Sequence, residues 1–372
     1  MRVAAIGDAH LGRSYYPATV DGVNQRERDF EGSFEAAVEL ALAQSPDLVV
    51  WLGDVFDHPR PTYRSFCVAQ RALKKIRDHG ATLVAITGNH DTPRLPGTGS
   101  PYSALAAGFP EMHWAHRMGY ERFELPGLVV HAVPQMMTAE ATLEALDEAD
   151  RRRSVDCSNL LLAHPLVPTV PRLYADINEI EVDERHLRAD LVLLGHYHVH
   201  RRVRPTVWYA GSTDTFSFAD DPAEAKGVAV LDTDTGVCCH VPLAGQRPLV
   251  TLEAVAALGL SPAEVQAAVL ERVSAVEAGA VARLYVENVD PDAWRLIELD
   301  AVRSAGAAAL HLKIEPRFSD TTAFVELPDL DAMPARWDRY LEDQDLTGYD
   351  RDRIKKLGHD YLSRAVEVVD QP

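Results

Sequence analysis

At 372 residues, 47% of them apolar and 25% charged, the sequence has an ordinary globular composition and length for two or three domains. A formal net charge of −19 argues against a protein that coats nucleic acid nonspecifically, although local basic patches or bound cations could still meet phosphate. No stretch approaches the roughly 20 apolar residues of a membrane helix, and Cys67, Cys157, Cys238 and Cys239 form no Cys-x-x-Cys pair, so structural thiols are expected rather than a disulfide framework.

The chain opens directly into a strand at Val3–Ile6 with no signal-peptide pattern, so a cytoplasmic compartment is expected. Phe30, Phe34, Ala37, Val38, Ala41 and Leu42 then recur at helical spacing. Leu48–Leu52 reads as a strand, Ser65 to Arg77 as a helix closed by His79-Gly80, and Thr82–Ile86 as a third strand. Further on, Leu160–Ala163 and Leu191–Leu194 are strand candidates, preceded by an acidic helix ending in Arg151-Arg152-Arg153, where cations suit the helix dipole. Leu128–Val133, Val207–Ala210, Val228–Leu231 and Val237–Val241 suggest a meander of strands. Around Ala244–Pro248 the pattern changes to a βαβαβ-like module. It reads as a strand at Leu249–Leu252, a helix from a Ser261/Glu264 capping box to about Val276, a strand at Val281–Val286, a helix at Asp292–Arg303 and a strand at Ala308–Ile314. A Pro- and Asp-rich linker and two helical segments, Arg336–Glu342 and Asp350–Val366, complete the chain. In the last, Ile354, Leu357, Tyr361 and Ala365 share a face that wants a partner surface. The expected domains are 1–245, 246–316, a linker over 317–334 and a helical tail over 335–372.

Five apolar runs are each followed by metal-ligand residue types. These are Gly7-Asp8-Ala9-His10, Gly53-Asp54-Val55-Phe56-Asp57, Gly88-Asn89-His90-Asp91, His164, and Gly195-His196-Tyr197-His198. The carboxyl ends of strands in an α/β sheet share one edge, where such clusters can converge. Carboxylate and amide oxygens with imidazole nitrogens suit Mn²⁺, Fe²⁺ or Zn²⁺. Asp-x-His and His-x-His put alternate residues on one side of an extended segment, and the preceding glycines are expected to let the backbone turn off the strand. Seven ligands suffice for two metals if a carboxylate bridges them, as in phosphoryl-transfer sites with ions about 3.5–4 Å apart.

This ordered set resembles the calcineurin-like metallophosphoesterase superfamily. Asp8-Ala9-His10-Leu11-Gly12, Arg28-Asp29-Phe30, Gly53-Asp54-Val55-Phe56-Asp57, Gly195-His196-Tyr197-His198, Tyr209-Ala210-Gly211-Ser212, Phe216-Ser217-Phe218 and Lys226-Gly227 narrow the resemblance to SbcD and Mre-eleven type DNA-repair nucleases, over roughly residues 1–235. The resemblance implies an α/β metallophosphoesterase core of two packed β-sheets flanked by helices, a small α/β capping domain and a helical C-terminal tail. It puts Asp8, His10, Asp54 and His198 on one metal and Asp54, Asn89, His164 and His196 on a second, with His90 the catalytic histidine. It further implies two divalent ions, most readily Mn²⁺, DNA as substrate, an SbcC-like coiled-coil ATPase as partner, and a homodimer through the core. Two positions depart from the pattern. Some members carry a histidine directly after Gly-Asp-x-Phe, where this chain has Asp57 followed by His58, and Pro165 follows His164 where many relatives have glutamine.

In the mechanism so implied, metals make water nucleophilic near neutral pH and His90 protonates or stabilises the leaving sugar oxygen. For His200 a surface or supporting role outweighs ligation, and His113, His116, His131, His240 and His359 read as structural. Cys238-Cys239 reads as core packing. Arg201, Arg202 and Arg204 could reach a DNA backbone or form a solvated basic loop, and both readings stay open. The segment Leu95–Ser100 lacks Gly-Lys-Ser/Thr and is no ATP-binding loop; a mobile loop near His90 is expected. The expected activity is a DNA exo/endonuclease. The alternatives are a phosphodiesterase on nucleotides or other small phosphate esters, and a DNA-end tethering scaffold, against which the intact ligand set argues.

Overall fold

The computed structural model describes residues 1–171, 178–220, 224–319, 333–342 and 350–369. Strand β1 (Arg2–Ile6) leads through the hairpin β2 (Thr19–Val20) and β3 (Val23–Asn24) into α1 (Gln25–Ala43). Asn24 caps α1 by accepting from the backbone N–H groups of Arg26 and Glu27. The alternation continues with β4 (Leu48–Leu52), α2 (Tyr63–His79), β5 (Thr82–Ile86), α3 (Pro101–Gly108) and β6 (His113–Ala115). Helix α2 starts on the Thr62 hydroxyl and stops at Gly80, whose φ of 85° is the left-handed cap glycine takes readily. Next come β7 (Glu121–Leu125), β8 (Leu128–Ala132), α4 (Ala139–Arg151), β9 (Ser158–Ala163) and β10 (Leu191–Leu194). Two hairpins follow, β11 (Arg201–Arg204) with β12 (Val207–Tyr209) and β13 (Gly227–Asp232) with β14 (Val237–Pro242).

These strands form two six-stranded sheets, ordered β14-β13-β1-β4-β5-β6 and β11-β12-β10-β9-β8-β7. Val3, Ala5, Val50 and Val84 of the first sheet pack against Leu160, Leu162, Leu193 and Trp208 of the second in one buried core. Their chain neighbours Ala4, Ile6, Val49 and Trp51 face α1 and α2 on the outside of the first sheet, and Leu161, Val192 and Leu194 pack with Leu146 of α4 outside the second. With both faces covered, the strands read as unbroken apolar runs rather than alternating patterns. The later strands do not form the expected meander. β8 lies parallel to β9 and β12 parallel to β10, while β13 crosses to the other sheet and pairs antiparallel with β1. Closeness in sequence favours neighbour pairing, but strands buried on both faces carry no signal of which sheet they join.

The chain divides into two compact units, one of residues 1–253, 270–284 and 300–313, the other of 254–269, 285–299 and 314–372. After the two sheets come β15 (Leu249–Thr251), β16 (Val255–Ala256), α5 (Pro262–Ser274) and β17 (Val281–Val289), with β15 and β16 both parallel to β17. The Ser261/Glu264 capping box forms, with Ser261 N–H donating to Glu264 Oε2 at 2.8 Å. The single helix expected at Asp292–Arg303 is instead split into α6 (Pro291–Arg295) and α7 (Leu299–Ala305), and the Glu298 N–H at the break donates to Gln266 Oε1. The strand expected at Ala308–Ile314 is β18 (His311–Phe318), which runs on into the expected linker; residues 320–332 of that linker lie outside the described residues.

Helices α8 (Met333–Glu342) and α9 (Arg351–Val369) form the tail. The Trp337 indole sits over Gly358, where a Cβ would overlap it, and Asp338 pairs with Lys355 and His359 at 2.9 and 2.7 Å. On α9, Leu357 and Tyr361 are 48% and 70% exposed and Ile354 is half-buried; Ala365 lies outside the described side chains. Among the described residues no helix is long and apolar enough to cross a membrane.

Candidate metal centre

The five ligand-bearing segments leave their strands at one end of the two-sheet core. β1, β4 and β5 bring Asp8, His10, Asp54, Asn89 and His90 from the first sheet, and β9 and β10 bring His164, His196 and His198 from the second. Face-to-face sheet packing, not one sheet edge, makes the site. All eight side chains are buried, the most exposed being His90 at 7%. The first two segments run side by side: His10 N–H donates to Asp54 O and Leu11 N–H to Val55 O, both at 2.8 Å.

The backbone departs from the sequence expectation. Asp8, His10, Asp54 and His196 themselves have φ of 45°, 46°, 50° and 85°, left-handed values that residues with a Cβ rarely adopt. Of the preceding glycines only Gly53 has positive φ. Gly88 and Gly195 are required for space, because a Cβ would overlap Asp54 Oδ1 at Gly88 and the Leu52 carbonyl at Gly195.

At the centre stands Asp54. Its Oδ1 accepts from the His90 N–H at 2.8 Å, and its Oδ2 lies 3.2 Å from His164 Nε2 and 3.7 Å from His10 Nε2. Asp8 Oδ1 accepts from the His196 N–H at 2.9 Å and lies 3.8 Å from His164 Nε2. The ligand-capable atoms of Asp8, His10 and His198 converge within 4.8 Å of one another, as do those of Asp8, Asp54 and His164.

The donor set fits divalent cations. His164 Nδ1 is 2.6 Å from the Leu52 carbonyl and so carries the proton, which turns its Nε2 lone pair toward Asn89 Oδ1 and Asp54. His196 Nε2 donates to Glu179 Oε1 at 3.1 Å, which leaves its Nδ1 facing the same Asn89 oxygen at 3.1 Å. His10 Nδ1 donates to Asp57 at 3.0 Å, and its buried Nε2, like the buried Asp8 Oδ2, has no hydrogen-bond partner among the described residues. Lone pairs thus face one another across a buried space, an arrangement that a cation satisfies.

Titration agrees. Burial pushes the Asp8 carboxyl up to about 7 despite opposing His164. Burial alone would lower His164, but Asp54 and Asp8 carry it to about 9, while burial of Asp54 is outweighed by His164, leaving that carboxyl well below its usual range. Positive charge at His164 Nε2 is thus favoured beside the two carboxylates, a charge that a bound cation would supply in place of a proton. Burial lowers His10 and, strongly, His198, favouring the neutral imidazole that binding a cation would require.

Several residues were not assigned these positions from sequence. Asp91 accepts from the backbone N–H of Phe56 and Val55 at 2.9 and 3.2 Å, so this motif carboxylate buttresses the Asp54 loop. Glu179 had no spacing signal. Phe216 packs on His10 and His198 at ring distances of 4.8 and 4.2 Å. His58 accepts from the Arg60 N–H in its own turn, and His200 stacks on His240 at 4.8 Å. On β11, Arg202 donates to Pro205 O and Arg204 to Leu187 O, and Arg201 lies 3.8 Å from Glu224. Leu95–Ser100 includes a short 3-10 turn at Pro96–Thr98. Two clefts, of about 630 and 430 Å³, open beside Asn89 and share Thr92, Pro93, Arg94 and Asn178 in their walls.

Residues 1–200 match the family described as calcineurin-like phosphoesterase. The "DNA double-strand break repair protein Mre11" of Thermoplasma acidophilum is 28% identical over 244 residues, 62% of this chain and 61% of that protein. Proteins of the same description from Saccharolobus solfataricus and Haloferax volcanii are 26% and 31% identical, over 58% and 59% of this chain and 55% and 47% of theirs. The chain thus spans less than two thirds of the length of these curated relatives. The crystal structure of TT1561 of Thermus thermophilus covers 65% of this chain and 98% of its own, with 15% identity and a TM-score of only 0.40. With the match covering more than half of the sequence, the chain belongs to the calcineurin-like phosphoesterase family.

Proposed function

We propose that this chain is a metal-dependent DNA exo/endonuclease, the nuclease subunit of an SbcCD-like repair complex. The observation that carries the reading is the central Asp54 carboxylate, bordered by two sets of imidazole and carboxylate groups whose ligand-capable atoms converge. Asp8, His10, Asp54 and His198 would hold one divalent ion, and Asp54, Asn89, His164 and His196 the other, with Mn²⁺ the expected metal. Such a pair lowers the pKa of water and neutralises charge on the phosphoryl oxygens.

The protein's own groups do the remaining work. Asp57 O accepts from His90 Nδ1 at 2.9 Å, so Nε2 is the atom that can pass a proton to the leaving sugar oxygen. Burial of every ligand keeps the site rigid and excludes competing hydrogen bonds from water. DNA as substrate draws support from the chain's similarity to DNA double-strand break repair proteins, and Arg201, Arg202 and Arg204 are the proposed backbone contacts. The nuclease core would span 1–245, and the tail helices would dock on an SbcC-like coiled-coil ATPase through Leu357 and Tyr361.

The test compares His90→Ala with Asp54→Ala, measuring bound Mn²⁺ and single-turnover cleavage of linear DNA in one buffer. His90→Ala should keep both metals and lose about 10²–10⁴-fold in rate; Asp54→Ala should lose metal and activity together. Wild-type protein that hydrolyses nucleotides but leaves DNA intact would overturn the substrate, and a His90→Ala variant cutting at full rate would overturn the assignment of the acid.

A further inference from the structure

Asp57 stands where the sequence departs from its family pattern, and its surroundings give it a definite task. One carboxylate oxygen, Oδ1, receives His10 Nδ1 at 3.0 Å and Arg13 Nη1 at 2.9 Å and lies 3.7 Å from His90 Nδ1. Its backbone carbonyl meets His90 Nδ1 at 2.9 Å. The Arg13 guanidinium is fixed in turn by the Tyr15 hydroxyl at 2.8 Å and lies over the Tyr15 and Phe216 rings. His10 is fully buried and Asp57 about a quarter exposed, so the carboxylate closes the site at its outer side.

An imidazole has two nitrogens, and a hydrogen bond at one decides which is left to bind a cation. Here the bond to Asp57 puts the proton on Nδ1 and leaves the orphaned Nε2 facing Asp54. We propose that Asp57 is the positioning residue for the ion held by Asp8, His10 and His198, fixing the His10 tautomer through its side chain while its carbonyl separately orients His90. Arg13 holds the carboxylate in place through its ion pair at 2.9 Å. His58, the other residue at this departure, accepts from the Arg60 N–H in its own turn. This inference rests on the two-metal reading above, and it divides the two functions of Asp57 between side chain and backbone. Replacing the side chain therefore separates them.

The experiment titrates Mn²⁺ into metal-free wild type, Asp57→Asn and Asp57→Ala, following free Mn²⁺ by electron paramagnetic resonance and stability by thermal melting. Wild type should bind two ions. Loss of a carboxylate behind a ligating histidine typically weakens metal binding by about 10–100-fold. One of the two binding steps should weaken to that extent, less in Asn, which keeps an acceptor, than in Ala, while the other step stays within about 3-fold of wild type. Two unchanged steps, or two steps weakened equally, would overturn the proposal. So would a metal-free variant that no longer melts cooperatively, since Asp57 would then be part of the scaffold. Wild-type protein binding fewer than two ions would overturn the two-metal reading itself, an outcome visible before any variant is compared.

Discussion

Gly195→Ala tests whether the site is held by close packing, because it adds one methyl where the backbone tolerates any residue. Gly195 does not have positive φ, so no strain comes from the conformation. The new Cβ would overlap the Leu52 carbonyl oxygen and come within 2.6 Å of His164 Nδ1. Those two atoms are hydrogen-bonded to each other at 2.6 Å, and neither can retreat without breaking that bond. Overpacking of this kind costs about 1–3 kcal/mol, and a buried group left without its partner about 1–3 kcal/mol more. A total of roughly 2–6 kcal/mol should lower the melting temperature of metal-free protein by roughly 5–20 °C. His164 loses the contact that aims Nε2 at Asn89 and Asp54, so Mn²⁺ binding should weaken about 10–100-fold. Gly22→Ala is the control: φ is +76° but open space surrounds the position, so it should cost about 1–2 kcal/mol in strain and leave metal binding untouched. Melting within about 2 °C of wild type with unchanged Mn²⁺ affinity in Gly195→Ala would refute the packing argument.

Metal-free protein should lose stability as pH rises from about 7 to 9. His164 is raised from 6.5 to about 9, so in this range the folded state keeps a proton that the unfolded chain has released. The raised Asp8 and Asp91 carboxyls act with the same sign below about pH 7, where the histidines lowered by burial, His10 and His198 among them, act with the opposite one; a melting temperature that climbs from pH 7 to 9 without metal would contradict the His164 assignment. Leu357→Glu with Tyr361→Glu, both at exposed positions, should abolish co-purification with the coiled-coil ATPase and spare Mn²⁺-dependent cutting. Undiminished complex formation would remove the tail from that interface.

The strands were legible because burial on both faces writes them as plain apolar runs, and Leu48–Leu52, Thr82–Ile86 and Leu191–Leu194 occur with the bounds their composition suggests. Sheet membership was not, since the inward and outward faces of β1 and β4 are equally apolar and nothing in Val228–Leu231 says that it pairs with β1. The ligand-type residues were legible as a set because each follows a strand. What supports them was not. Asp91 reads as another ligand and instead holds backbone N–H groups, and Glu179 reaches His196 from a loop with no periodic signal. Nor does sequence reveal that after β1 and β10 the left-handed turn is made by Asp8 and His196 and not by the glycine before each. That depends on where a Cβ has room, which only the packed neighbours decide.

The same feature bears on why so acidic a chain concentrates carboxylates at one point. Four non-glycine residues of the site hold left-handed backbone, at about 1–3 kcal/mol each. That sum is comparable with the roughly 5–15 kcal/mol by which a folded domain is stable. Burial of Asp8, with one oxygen unpartnered and its carboxyl driven up to about 7, adds to the cost. Selection for stability alone would remove such strain by placing glycine at the left-handed positions and apolar residues at the buried ones. Its presence at residues whose ligand-capable atoms converge fits a fold that a bound positive charge would compensate. A ligand that binds only the folded state at 100 times its dissociation constant returns about 2.7 kcal/mol, and two such ions return about twice that. Cations bound there would also reverse the local field, so the anionic substrate proposed above would meet positive potential at the site of a chain whose net charge is −19.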